Sequence, residues 1–141
     1  MLFINISGRG PHKVCENVVS WFVSKYLPRH KLTINVNHRG LKREAVDGWC
    51  WVEDCDWNPR EFAIELQTGL PREHYIQTLL HELQHVLQHV RGDLRDKRGI
   101  RCWKGTNCSE MNYEDQPWEI EAREMENFLM QQYLTEVSSC R

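Results

Sequence analysis

The chain contains 141 residues, of which 40% are hydrophobic and 27% are charged, and its formal net charge is −2. These values are typical of one globular domain, which we expect to span residues 1–141. No apolar run approaches the ~18 residues that a transmembrane helix needs, so we expect no transmembrane helix. The N-terminus has too few apolar residues for a signal peptide, so we expect the protein in the cytoplasm of a cell or of an infected host.

The spacing of apolar residues predicts an α+β fold. Pro11 precedes a helical pattern and Pro28 follows it, which indicates an N-terminal helix. Alternating apolar and polar residues then indicate a small, mostly antiparallel sheet of about three strands, and two helical patterns follow. In chain order, the predicted elements are a short edge strand at 3–6, a helix at 12–27, a strand at 32–36, a turn at 38–40, strands at 48–53 and 61–66, and helices at 75–91 and 117–133.

The helix at 75–91 contains the strongest functional signal, His81-Glu82-Leu83-Gln84-His85, which is an H-E-x-x-H motif. Residues four apart lie on one face of a helix, so His81 and His85 can offer two imidazoles to one metal ion. Glu82 is rotated by about 100° from His81 and remains close enough to take a proton from a water molecule at the metal. The motif therefore predicts one catalytic Zn²⁺ ion with Glu82 as general base. The alternative is a pair of solvent-facing histidines on an ordinary amphipathic helix.

A catalytic zinc ion of this kind needs a third protein ligand. No histidine follows His89, so the remaining candidate is a carboxylate on the helix at 117–133. Glu121 shares the apolar stripe of that helix, where a carboxylate needs a partner such as a metal ion. We therefore predict Glu121 as the third ligand, with Glu119, on the more charged face, as the second choice. A buried ion pair is the alternative for Glu121.

The chain resembles the small gluzincins, zinc peptidases whose third ligand is a glutamate, through its H-E-x-x-H motif and the later segment PWEIEAR at 117–123. The resemblance covers residues 61–133 and is strongest to the ImmA/IrrE-like and SprT-like minimal metallopeptidases, many of them encoded by bacteria and their phages. It implies a minimal zincin fold, in which a helix and a small antiparallel sheet precede the metal helix. It also implies that the strand before the metal helix, here at 61–66, borders the cleft and can pair with an extended substrate.

Three residues outside the motif are further candidates. Tyr113 lies in the long connection at 92–116 and is predicted either to donate a hydrogen bond to the reacting carbonyl oxygen or to fill the core. His74 and His89 lie near the motif face, but two histidines and one carboxylate already complete a catalytic set of ligands. We therefore expect His74 and His89 on the helix surface.

Six cysteines lie at positions 15, 50, 55, 102, 108 and 140. In the absence of a secretory signal, we expect reduced thiols. The alternative is a second, structural zinc ion held by Cys50, Cys55, Cys102 and Cys108.

Charge is distributed unevenly along the chain. The loop from Arg91 to Lys104 has a local charge of +4, and the segment at 110–126 has a local charge of −6. The basic loop could contact nucleic acid or an acidic substrate. A solvated loop that balances the acidic helix is the simpler interpretation.

We therefore expect a zinc metalloendopeptidase that acts on a protein or peptide, with no membrane partner. The alternative is a catalytically silent protein on the same scaffold, which keeps the metal for stability and docks to a partner protein or to DNA. The presence of Glu82 favours the enzyme, because a purely structural metal site needs no general base.

Overall fold

The computed structural model describes residues 1–139, which form three α-helices and two β-sheets. The fold class is α+β, as predicted. The helices are α1 (His12–Tyr26), α2 (Arg72–Arg91) and α3 (Pro117–Ser139). The first sheet contains β1 (Leu2–Gly8), β2 (Leu32–Arg39), β3 (Gly48–Val52) and β4 (Glu61–Gln67), and the second contains β5 (Leu94–Lys97), β6 (Ile100–Trp103) and β7 (Thr106–Asn107). Short 3₁₀ helices lie at Lys42–Glu44 and Tyr113–Asp115.

The first sheet is mixed, so the prediction of a mostly antiparallel sheet is wrong. Its strand order is β1-β2-β4-β3, with parallel β1–β2 and β2–β4 pairs and an antiparallel β3–β4 pair. α1 returns the chain across the sheet between β1 and β2, and such a crossover produces parallel strands. β1 lies at one edge of the sheet, as predicted, and β3 lies at the other.

Strand pairing also overrides a predicted turn at residues 38–40. β2 continues through His38 and Arg39, because His38 pairs with both Gly8 of β1 and Leu66 of β4. The turn signal was local, whereas the strand extends through backbone pairing on both of its sides.

The main core lies between one face of this sheet and the three helices. Burial alternates along β2, where Leu32, Ile34 and Val36 are buried and the residues between them are partly exposed. These side chains pack with the apolar stripe of α2, which includes Ile76 and Leu83. No helix in residues 1–139 is both long enough and apolar enough to cross a membrane.

α2 ends where the sequence predicts. Gly92 follows Arg91 in the left-handed conformation, with φ of 83°, and its N–H bonds to the carbonyl oxygen of His89 at 3.1 Å. The N–H of Asp93 bonds to the carbonyl oxygen of Gln88 at 3.0 Å, which completes a glycine cap. This cap turns the chain into the second sheet, directly beside the motif helix.

The second sheet occupies the connection at 92–116, where the sequence patterns predict only a loop. Its two hairpin turns each combine a residue at positive φ with a following glycine, Arg98-Gly99 (52° and 80°) and Lys104-Gly105 (48° and 87°). Two consecutive positive φ values are typical of the tight turn that matches strand twist, for which asparagine or aspartate before glycine is the usual signal. Because arginine and lysine occupy those positions here, the sequence does not predict the two turns.

Candidate metal centre

Two helices bring three potential metal ligands together. Nε2 of His81 lies 3.0 Å from Oε2 of Glu119, and Nε2 of His85 lies 2.9 Å from Oε1 of the same carboxylate. The donor atoms of these three residues all lie within 4.8 Å of one another, and the part of the chain that the structure describes contains no other such group of histidine, cysteine, aspartate or glutamate. The group could therefore hold one metal ion.

α2 supplies both histidines from successive turns. The rings of His81 and His85 are 5.0 Å apart between centroids and nearly perpendicular, at 83°. Their side chains are only 13% and 7% exposed. The solvent-facing alternative for this pair therefore does not apply, since both rings point into the protein toward α3.

The structure places Glu119, rather than Glu121, beside the histidines. Trp118, Ala122 and Leu129 form the buried stripe of α3, and at 100° per residue both glutamates deviate from the centre of that stripe by about 80°, in opposite directions. The helix phase therefore does not distinguish the two glutamates. The assignment of Glu119 to a charged outer face was wrong, because it is only 9% exposed.

The other ring nitrogens of the two histidines are held by acceptors. Nδ1 of His81 lies 2.7 Å from Oε2 of Glu126, and Nδ1 of His85 lies 2.8 Å from Oε1 of Gln88. A neutral ring with its proton on Nδ1 would have its Nε2 lone pair free to bind a metal ion. Glu126 was not predicted as a site residue, although it lies seven residues after Glu119 and therefore on the same helix face.

Glu121 acts one step further from the ligands. Its Oε1 accepts hydrogen bonds from Nε2 of Gln84 at 2.9 Å and from Nε2 of Gln88 at 3.1 Å. The second bond fixes the amide of Gln88 so that its oxygen faces His85. Glu121 thus orients one imidazole through Gln88 and does not contact either histidine ring.

The three ligand candidates are strongly coupled electrostatically. Burial lowers the pKa of His81, but hydrogen bonds to Glu119 and Glu126 raise that pKa to about 10. Burial also lowers the pKa of His85, and contact with Glu119 raises it above its usual value. Burial raises the pKa of Glu119, but the two histidines hold it well below its usual range. In the metal-free protein at neutral pH, the His81 imidazolium therefore lies beside the Glu119 carboxylate.

Glu82 lies on the floor of the same site. Its side chain is largely buried, which raises the pKa of its carboxyl, although His85 and His81 oppose that shift. Within residues 1–139, no side chain or backbone N–H donates a hydrogen bond to this carboxylate, which leaves its oxygens available to a water molecule. Gly48 lies directly against Glu82, since a Cβ atom added there would be 3.1 Å from Oε1 of Glu82.

A cavity of about 670 Å³ opens over these groups. β3 contributes Gly48, Trp49 and Cys50 to its wall, and β3 is the edge strand. The expectation that the strand at 61–66 borders the cleft as an edge is therefore wrong, because β4 lies between β2 and β3. The free edge beside the site belongs instead to β3, the strand that precedes β4 in the chain.

Tyr113 also lines the cavity. Its hydroxyl donates a hydrogen bond of 3.0 Å to Oε2 of Glu119, and the residue is 57% exposed, so it does not fill the core. Burial of the phenol and the adjacent Glu119 charge raise the pKa of Tyr113 to about 12. The phenol therefore keeps its proton and can act as a donor at neutral pH.

The two further histidines have different positions. His74 lies on the surface, as expected, with Nε2 2.9 Å from Oδ2 of Asp47. His89 was expected there too, but it is 4% exposed and lines the cavity. Burial and the nearby Arg101 charge lower the pKa of His89 to about 4, so its ring is neutral at physiological pH.

The cysteines do not form a second site. Cys15, Cys50, Cys55, Cys102 and Cys108 are free thiols, and none belongs to a cluster of potential ligands in the described residues. The four-cysteine zinc alternative is therefore not supported by the fold. Cys140 lies outside the described residues.

Comparisons with protein-family models, with curated proteins and with solved structures found no match to this chain. The assignment of the site therefore depends on its own residues and distances.

Proposed function

We propose that the protein is a zinc-dependent peptidase whose metal ligands are His81, His85 and Glu119. The observation that carries this proposal is the convergence of the three donors on a cavity that also contains the free carboxylate of Glu82. Three protein ligands leave one position of a tetrahedral ion open, which distinguishes catalytic from structural zinc sites.

The donor set fits a zinc ion. Zinc binds imidazole nitrogen and carboxylate oxygen at about 2.0–2.2 Å, which corresponds to roughly 3.3 Å between neighbouring donors in a tetrahedron. The two histidine–glutamate separations, 3.0 and 2.9 Å, are close to this value, and all three donor atoms lie within 4.8 Å of one another. A Zn²⁺ ion would also displace the proton that His81 carries in the metal-free protein, because only a neutral imidazole binds a metal ion.

Zinc in this position would lower the pKa of a water molecule and polarise the carbonyl group of the substrate. Glu82 takes the proton of the attacking water and later delivers it to the leaving amine. Its burial supports this role, because a carboxylate with a raised pKa is a stronger base and takes a proton from water more readily. Gly48 provides the space in which the Glu82 carboxylate moves.

Tyr113 supplies a further donor at the site. We propose that its hydroxyl hydrogen-bonds the reacting carbonyl oxygen when charge develops there. Its raised pKa and its position at the cavity wall support this role. The hydroxyl already lies within hydrogen-bond distance of one metal ligand, Glu119, so a short side-chain movement suffices.

The edge strand β3 supports a protein or peptide as substrate. Its inner edge pairs with β4, and its outer edge has no strand partner within residues 1–139. An extended peptide can add to such an edge through backbone hydrogen bonds. Gly48 at the start of β3 contacts Glu82, so a peptide along this edge would pass beside the general base.

The substitution Glu82→Gln tests this proposal. We expect the variant to retain one zinc ion per chain, measured by elemental analysis, because Glu82 is not a ligand. We expect cleavage of a proteome-derived peptide library, followed by mass spectrometry, to fall by at least about 10²-fold, the usual effect of losing a general base. Glu73→Gln, in the first turn of α2, is the matched control.

Two outcomes would contradict the peptidase. Equal cleavage by Glu82→Gln and the native protein would exclude the proposed general base. Stoichiometric zinc without cleavage of any peptide, including the native protein's cellular partners, would instead favour the catalytically silent binding protein.

A further inference from the structure

Arg101 brings a positive charge to the metal cavity. It lies in β6, and its guanidinium group reaches the cavity wall formed with Cys50 and Trp118. Among the described residues that line this cavity, Arg101 is the only lysine or arginine. Its side chain is 35% exposed, so the group remains accessible from the cavity.

Two neighbours fix the orientation of this guanidinium. Nε and Nη2 of Arg101 donate to the two carboxylate oxygens of Asp96 at 2.7 and 2.8 Å. The guanidinium carbon also lies 5.4 Å from the centroid of the Trp118 ring, which is only 3% exposed. A two-point ion pair on one side and an aromatic face on another hold the group in one geometry.

The ion pair with Asp96 leaves three N–H groups of the guanidinium without an acceptor in residues 1–139. An arginine has five N–H groups, and Asp96 accepts two of them. No other acceptor in residues 1–139 bonds to the remaining three. Two of these, one on each terminal nitrogen, are parallel and form a second fork of the kind that binds a carboxylate at two points.

We propose that Arg101 is a specificity-determining residue that binds a carboxylate of the substrate next to the metal centre. The inference rests on the proposed peptidase function, because it gives that enzyme a preference among peptides. Asp96 and Trp118 position the fork, and Arg101 lines the same cavity as the candidate metal ligands.

A peptide can offer this carboxylate from two sources. A side-chain carboxylate of aspartate or glutamate would make the enzyme an endopeptidase that cleaves beside acidic residues. A free C-terminal carboxylate would make it select chain ends. Both groups have the planar two-oxygen geometry that fits an arginine fork.

Four hydroxamate peptides separate these sources in a binding experiment on the zinc-loaded protein. Each contains the same zinc-binding hydroxamate followed by one residue, either glutamate or glutamine, with a free or an amidated C-terminus. Calorimetry measures their dissociation constants, so the result does not depend on catalysis. We expect a ligand with the preferred carboxylate to bind about 10- to 100-fold more tightly than its neutral counterpart, as for a charged hydrogen-bonded pair.

Substitutions then assign the preference to Arg101. Arg101→Gln should abolish the ratio between charged and neutral ligands, and Arg101→Lys should retain only part of it because lysine has no fork. Lys97→Gln removes one charge from the same hairpin without altering the cavity wall, so it should leave the ratio unchanged. The double variant Asp96→Asn with Arg101→Gln removes the unpaired, partly buried carboxylate that the single change would leave, in case the single variant folds poorly.

Three results would overturn the inference. A ratio near one in the native protein, with all four ligands bound, would show that Arg101 serves only the hairpin and would leave the metal centre intact. A ratio that survives Arg101→Gln would place the carboxylate elsewhere. Failure of all four ligands to bind would overturn the open metal site and this inference with it.

Discussion

Replacing Glu119 with glutamine should remove zinc and weaken the metal-free fold at the same time. The carboxylate contacts His81 at 3.0 Å, His85 at 2.9 Å and the Tyr113 hydroxyl at 3.0 Å, and its side chain is only 11% exposed. Breaking a buried ion pair costs about 3–5 kcal/mol. His81 keeps its second partner, Glu126, so we expect a loss of about 3 kcal/mol in the free energy of unfolding without metal.

Glu121→Gln is the matched comparison, since it makes the same chemical change two residues away. Glu121 accepts hydrogen bonds from two amides rather than from charged groups. We expect its substitution to cost about 1 kcal/mol, because glutamine keeps an oxygen that can still accept from these amides. Zinc affinity should fall by more than about 10²-fold in Glu119→Gln, which loses a ligand, and by about tenfold in Glu121→Gln, which disturbs only the support of His85.

Two measurements suffice for this comparison. Denaturant unfolding in the presence of a chelator gives the stability of each metal-free variant, and competition with a fluorescent zinc indicator gives its affinity. If Glu121→Gln strips the metal while Glu119→Gln retains it, the orientation of α3 in the structure is incorrect. Equal affinities in both variants and the native protein would place the metal outside this cluster.

Three further predictions concern the groups around the ligands. The free energy of unfolding of the metal-free protein should be greatest near pH 5–6.5 and should fall toward pH 10 by about 1.4 kcal/mol per unit of pKa shift. The reason is that the folded pKa of His81, about 10, exceeds its unfolded value, so the stabilisation by His81 is lost as pH rises through that range. Unfolding curves with and without zinc at each pH measure this, and zinc should remove the decline. Glu126→Gln should lower zinc affinity by about 10- to 100-fold, measured by indicator competition, because it weakens the acceptor that orients His81. Gly48→Ala should retain zinc but lower peptidase activity by up to about 10²-fold, since the added methyl crowds Oε1 of Glu82 at 3.1 Å and shifts that carboxylate.

Each of these predictions has a control in the same chain. His81→Ala removes the group that titrates, so the metal-free variant should lose most of the alkaline decline in stability. Glu124→Gln changes an exposed acid on α3 and should leave zinc affinity unchanged. Gly40→Ala adds a methyl group where no atom lies within 4 Å, so its activity should match that of the native protein. If a control variant changes stability, zinc affinity or activity as much as its test variant does, the role assigned to the tested residue is contradicted.

The sequence predicted the histidine pair and the helix that holds it because that information is local. His81 and His85 are four residues apart, apolar residues recur at helical spacing around them, and Gly92 ends the helix. The choice between Glu119 and Glu121 depended instead on how α3 lies against α2. Both acids flank the apolar stripe at similar angles, so their order around the helix does not show which flank meets the histidines.

The direction of the strands and the second sheet depended on similar long-range information. Alternation in β4 predicts a strand but does not show that β2 and β3 pair with its two edges. The hairpin that contains Arg101 turns at Arg98, which has a positive φ, and sequence patterns do not predict a turn at an arginine. The sequence therefore does not predict that the guanidinium of Arg101 faces the cavity.

The arrangement of α3 also explains why acids on both of its flanks affect the same two histidines. Glu119 and Glu126 lie on one flank and hold the rings directly, whereas Glu121 lies on the other flank and acts on His85 through Gln88. The apolar stripe between the flanks fixes the separation of α2 and α3, so packing of that stripe sets the distances between the metal donors. A cavity-forming substitution in the stripe should therefore change the distances between the donor atoms without altering any donor residue. The candidate metal centre and the core of this protein thus depend on the same contact between α2 and α3.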